Sequence, residues 1–169
     1  TRIESELKQI RYEDPLKFEE FSVKIKKTLA EYEQSRDADK YLSTMESMAD
    51  DFRHGIMKRD YPSSIANDGD TKAFYGSIIN ILRSKAPFEI DTELEEKIAD
   101  HATIIKRAIS DNAKRDWKHN EVVHKQIHRV LDDCLFDMCD QIGVVIDKTN
   151  VDVIDLMIEE IMKVALATF

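Results

Sequence analysis

Along nearly the whole chain apolar residues recur at steps of three and four, the spacing that lines them up on one side of an α-helix. The clearest stripe runs from Val123 through Ile127, Val130, Cys134 and Met138 to Ile142. An earlier one comprises Phe18, Phe21, Ile25, Leu29 and Tyr32. Tyr41, Met45, Met48 and Phe52 follow in nearly heptad order, with Gly55, Ile56 and Arg59 continuing the segment. Ala73, Phe74, Ile78, Ile81 and Leu82 mark a helix that stops at Ala86-Pro87. Leu94, Ile98, Ala102, Ile105 and Ile109 mark the next, and Ile154, Met157, Ile161 and Ala165 the last. Ile3, Leu7 and Ile10 already keep helical spacing although the first residue is Thr1, so the expectation is a piece of a longer protein, entered partway along a helix.

Turn and cap chemistry separates these stripes. Asp14-Pro15 pairs a capping side chain with proline at the first helical position, where the missing N–H costs nothing. Tyr61-Pro62-Ser63-Ser64 and Asn67-Asp68-Gly69-Asp70 concentrate turn formers and predict an elaborate loop within one domain. Thr92 with Glu95 fits a capping box, and Asp116 is expected to cap the helix beyond Trp117. Thr149 to Asp152 reads as a further helix start, with Asp152 and Asp155 favourably placed against its dipole. Strand-type alternation and fixed-period repeats are absent. The expected fold is all-α, a single compact domain over residues 1–169 built from about six to seven amphipathic helices.

Charge alters this picture because it is segregated. The net charge is −9, which argues against indiscriminate coating of nucleic acid. Yet Lys106 to Arg129 holds seven Lys or Arg against three acids, while Val130 to Phe169 holds nine acids against Lys148 and Lys163. The chain is therefore expected to be organised around residues 108–142, with one attractive surface for an acidic partner. Cys134 and Cys139 are too far apart on one helix to form a disulfide and read as reduced, core-facing thiols. No apolar run approaches the ~20 residues that span a bilayer, and no signal-peptide pattern opens the chain. A cytoplasmic protein without a membrane partner is expected.

Candidate chemistry is sparse. The four glycines are isolated, so no phosphate-binding loop is present. His124 and His128 are four apart, with Asp132 a turn beyond, but no Glu follows the first histidine as in helical zinc proteases. Asp132 and Asp133 are adjacent on a helix and point about 100° apart, too divergent to share a substrate. His101 sits within a stripe and reads as a satisfied histidine. The expectation is no catalytic residue, no metal and no cofactor in this chain. What remains is the cationic group Lys114, Arg115, Lys118, His119, Lys125 and Arg129, which can grip phosphates without reading bases, meet an acidic protein, or simply form a solvated face. Trp117 is either a core anchor at the helix entrance or an exposed interface hot spot.

The run Ala73-Phe74-Tyr75-Gly76, a helix starting near Glu93-Leu94, Asp116-Trp117 ahead of a Val-rich helix, Gly143 and a last helix ending at Ala165 occur in an order that resembles the C-terminal helical region of the motor (R) subunit of type I restriction enzymes, most like the IC group. The resemblance spans roughly Thr71 to the end, so residues 69–169 form the family-like part and 1–68 the leading helices. It implies a bacterial parent chain that is an ATP-dependent DNA translocase and endonuclease, with ATP and Mg bound elsewhere in that parent. For this piece it implies docking on the methyltransferase–specificity core, holding double-stranded DNA, or both, with Phe74, Tyr75, Asp116 and Trp117 as motif residues. The alternative is a helical protein-interaction domain of another multidomain enzyme, with no nucleic-acid role.

Overall fold

The computed structural model describes residues 2–53, 61–85 and 89–169, with side chains for 8–52, 61–85 and 89–169. Seven α-helices appear among them and no strand, as the all-α expectation requires: α1 Arg2–Glu13, α2 Pro15–Ser35, α3 Ala38–Arg53, α4 Gly69–Lys85, α5 Thr92–Asn112, α6 Glu121–Gln141 and α7 Val153–Thr168. A 3-10 turn, Trp117–His119, precedes α6. Gly55, Ile56, Arg59 and Ala86-Pro87 lie outside the described residues, as do the side chains of Ile3 and Leu7.

Helices α4, α5, α6 and α7 close a ring in which each packs against the next, and α1 and α2 lie against α4. The hub is α4, and this corrects the expectation that residues 108–142 organise the chain. From Thr71 to Ile79 every α4 residue except Lys72 is buried, whereas α6 shows solvent one long face. A helix apolar all round must be enclosed by neighbours, and α4 has four.

The first neighbour is seated by the Asp14-Pro15 corner. Asp14 caps α2 by accepting from Lys17 N at 3.1 Å, as expected, and also accepts from the Tyr61 hydroxyl. Asn80 of α4 donates to the Pro15 carbonyl at 3.1 Å. Between these bonds Pro15 and Leu16 press on Gly76, where an added Cβ would stand 3.2 Å from Pro15 Cδ and 3.3 Å from Leu16 Cγ. The α4 N-terminus is held by Asp68, whose carboxylate accepts from Thr71 N at 3.2 Å.

Two expected details differ. The α5 cap is Asp91, which accepts from Leu94 N at 2.9 Å; Thr92 is already helical, and Glu95 is turned toward Arg83, 3.6 Å away. On α6 the buried line is Ile127, Leu131, Leu135, Met138 and Cys139, so Val130 and Cys134 lie at its edge. Cys139 is core-facing as expected, Cys134 only half-buried, and both are free thiols. Gly143 ends α6 in the left-handed region (φ 77°) that favours glycine, which lets Val144 N reach the Cys139 carbonyl at 2.8 Å.

The close seat on Gly76 yields a test. Gly76→Val inserts a branched side chain where the nearest atoms belong to a proline ring and a buried leucine, so stability in urea is expected to fall by about 1–3 kcal/mol. Unchanged stability would show that α2 is not seated on α4 in this way.

Candidate functional site

The chain leaves α5 at Asn112 and turns through Ala113 to Asp116 before the 3-10 turn, a path set by packing of its one large apolar residue. Trp117 is 6% exposed and belongs to the main core, so it is an anchor and not an exposed hot spot. Its ring meets the His124 imidazole edge-on at 5.7 Å between centroids. His124 Nε2 is buried there without a hydrogen-bond partner among the described residues. Asp116 takes the left-handed conformation (φ 62°) and makes no side-chain cap, contrary to expectation. Asn120 caps α6 instead, its Oδ1 accepting from Val122 N at 3.1 Å and Val123 N at 3.3 Å. An Asn directly before a periodic apolar run was the available signal.

Of the basic residues grouped by sequence, the structure separates two from the rest. Lys106 lies 2.7 Å and 2.8 Å from the two Asp68 oxygens and 3.7 Å from Asp70, so its charge is answered at the start of α4. Lys118 donates to the Leu166 carbonyl at 3.0 Å, placing a cation at the negative end of α7. Lys114, Arg115, His119, Lys125 and Arg129 are exposed, and no ion pair engages Lys114, Arg115, Lys125 or Arg129 among the described residues. Lys125 and Arg129, one turn apart, flank a shallow depression of about 340 Å³ that Glu121, His124 and His128 also line. The structure thus joins Lys125 and Arg129 in one face, and puts Lys114 and Arg115 on the loop that Trp117 ties to the same helix end.

Phe74 and Tyr75 are fully enclosed in α4, at 0% and 2% exposure, and act in packing. His101 is buried and bonds Gln141 Oε1 at 3.2 Å, the satisfied histidine expected. Among the described residues no group of three His, Cys, Asp or Glu side chains is placed to hold a metal ion, and no helix is long and apolar enough to cross a membrane.

Burial raises the pKa of Asp68, but hydrogen bonds from Lys106 and Thr71 outweigh it and hold the carboxyl below its ordinary 3.8. A lowered folded value means stability that is present above 3.8 and lost as pH falls through the folded pKa. Asp68→Asn is therefore expected to be less stable at neutral pH and to converge with the parent chain in acid, checked by urea melts across that range. Trp117→Ala should cost about 3–5 kcal/mol by emptying a core site. Emission from this single indole should also be that of a buried ring until the chain unfolds. No protein-family model, curated protein or solved structure matches this chain.

Proposed function

We propose that this chain is a non-catalytic assembly and DNA-binding module, the C-terminal helical part of the motor subunit of a type I restriction enzyme, which docks the motor on the methyltransferase–specificity core and holds double-stranded DNA. The observation that carries the binding half is the set of exposed cations without ion-pair partners, Lys114, Arg115, Lys125 and Arg129, at one end of α6. A cation already paired within the fold has little to gain from a phosphate, whereas an unpaired one releases a condensed counterion from DNA when it binds. Such contacts hold without reading bases, which suits a translocase that moves over every sequence. The identity of the parent enzyme comes from the sequence resemblance alone. With a net charge of −9 on the chain, the grip is local, weak and steeply salt-dependent.

A second reading, a protein-interaction domain with no nucleic-acid role, is favoured by exposed apolar residues on the same helix: Val122 is 74% exposed and Phe136 48%. Here the cations meet carboxylates of a protein partner.

Replacing both Lys125 and Arg129 with Ala separates the readings. If they contact phosphates, affinity for duplex DNA falls similarly for unrelated sequences, and the slope of log affinity against log salt flattens by about 0.9 per lost contact. Unchanged affinity and slope in fluorescence anisotropy would sink the DNA reading. A slower association with the methyltransferase–specificity core, at unaltered DNA affinity, would assign the face to protein docking.

A further inference from the structure

The depression that Lys125 and Arg129 flank holds one more side chain able to meet an anion. His128 is exposed and lines it together with Glu121 and His124. Along the helix axis His128 stands between the two cations, about 4.5 Å beyond Lys125 and about 1.5 Å before Arg129. Around the axis, at about 100° per residue, it falls between His124 and Lys125. His124 is held by Trp117, with its Nε2 out of solvent, which leaves His128 as the ring free to turn toward a ligand. Formal charge makes that ring decisive. Lys125 and Arg129 against Glu121 leave the depression at +1 while its histidines are neutral, and a proton on His128 makes it +2. Asp132, one turn beyond His128, is half-buried and lines no part of it. The elements packed against α6 carry other charges at this end of the bundle: Lys118 and His119 on the 3-10 turn, Asp111 on α5, Glu159 and Lys163 on α7. None of these lines the depression among the described residues.

We propose that His128 is a proton-dependent third phosphate contact of this face, so that its grip on duplex DNA tightens as pH falls through the range in which histidine titrates. The proposal rests on the DNA-binding reading above and names how that binding is regulated. Histidine changes charge between about pH 5 and about pH 8, and an opposite charge within about 4–6 Å favours its charged form. A phosphate drawn to Lys125 and Arg129 brings such a charge to the His128 ring, so binding takes up a proton. By reciprocity, a proton already on the ring strengthens binding. The protonated imidazole is then a cation with an N–H donor, the same two properties that let lysine and arginine hold a phosphate oxygen.

Fluorescence anisotropy of the full 169-residue chain on short DNA duplexes of unrelated sequence tests this, at about pH 8 and about pH 5.5 and over a range of salt. Affinity is expected to rise on the order of tenfold on acidification, and the slope of log affinity against log salt to steepen by about 0.9, the value of one added phosphate contact. His128→Gln keeps a polar side chain of similar reach without the titratable ring, and should remove most of both changes. His119→Gln should keep both, because His119 stands on the 3-10 turn outside the depression. His128 is exposed, so circular dichroism and melting should match those of the parent chain. Binding that depends on Lys125 and Arg129 but has the same pH and salt profile in His128→Gln as in the parent overturns the proposal and leaves the DNA reading standing. So does a pH response lost in His119→Gln instead. No binding to duplex DNA at either pH overturns both.

Discussion

Enclosure of α4 is the constraint on which the other helices depend. A helix buried from Thr71 to Ile79 with a single interruption has no solvent face, and each neighbour must supply surface that α4 cannot do without. Gly76 sets how closely α2 approaches, and the bonds from Asn80 to Pro15 and from Tyr61 to Asp14 set its angle. The ionic contact of Lys106 with Asp68 does the same for α5, since Asp68 is also the side chain that caps α4. The α5 seat sits at the N-terminal end of α4, where backbone groups need partners anyway, so there capping and docking use the same residue, Asp68.

The helices were legible because a three-to-four periodicity needs only the chain itself, and the stripe Ile154, Met157, Ile161 and Ala165 is buried as read. The hub was not. Hydrophobic periodicity is most conspicuous in a half-exposed helix such as α6, and it weakens in a helix buried all round, so the strongest pattern marked a peripheral helix that packs on α5 and α7. Two caps failed for a related reason. Asp91 stands next to Thr92, and Asn120 lies four residues past Asp116, and which residue accepts the bond is decided by where the incoming chain is held by tertiary contacts.

Of the residues that carry the resemblance to type I motor subunits, Glu93, Asp116 and Gly143 are exposed, and the large ones are packing residues. Phe74 and Tyr75 are in the centre of α4, Gly76 is its seat for Pro15, and Trp117 belongs to the main core. They describe how such a bundle is assembled, so they bear on the fold more than on what it touches. The binding argument rests on a different set, and that set was only partly visible. Seven basic residues close in sequence look alike until Lys106 is found answered by two aspartates and Lys118 spent on the end of α7.

What the fold does for the remaining cations is to fix where they stand. Lys114 and Arg115 lie on a connection of only a few residues between α5 and the 3-10 turn, and Trp117 pins the far side of it into the core while meeting His124 on the first turn of α6. Lys118 fastens the same turn to the end of α7. A loop tied at both ends and once in the middle loses little further freedom when it binds, so a contact made there keeps more of its electrostatic gain than one made from a free tail. The acidic residues on the rest of α6 and on α7 give those surfaces the opposite sign, so the cations held at the start of α6 stand out from them.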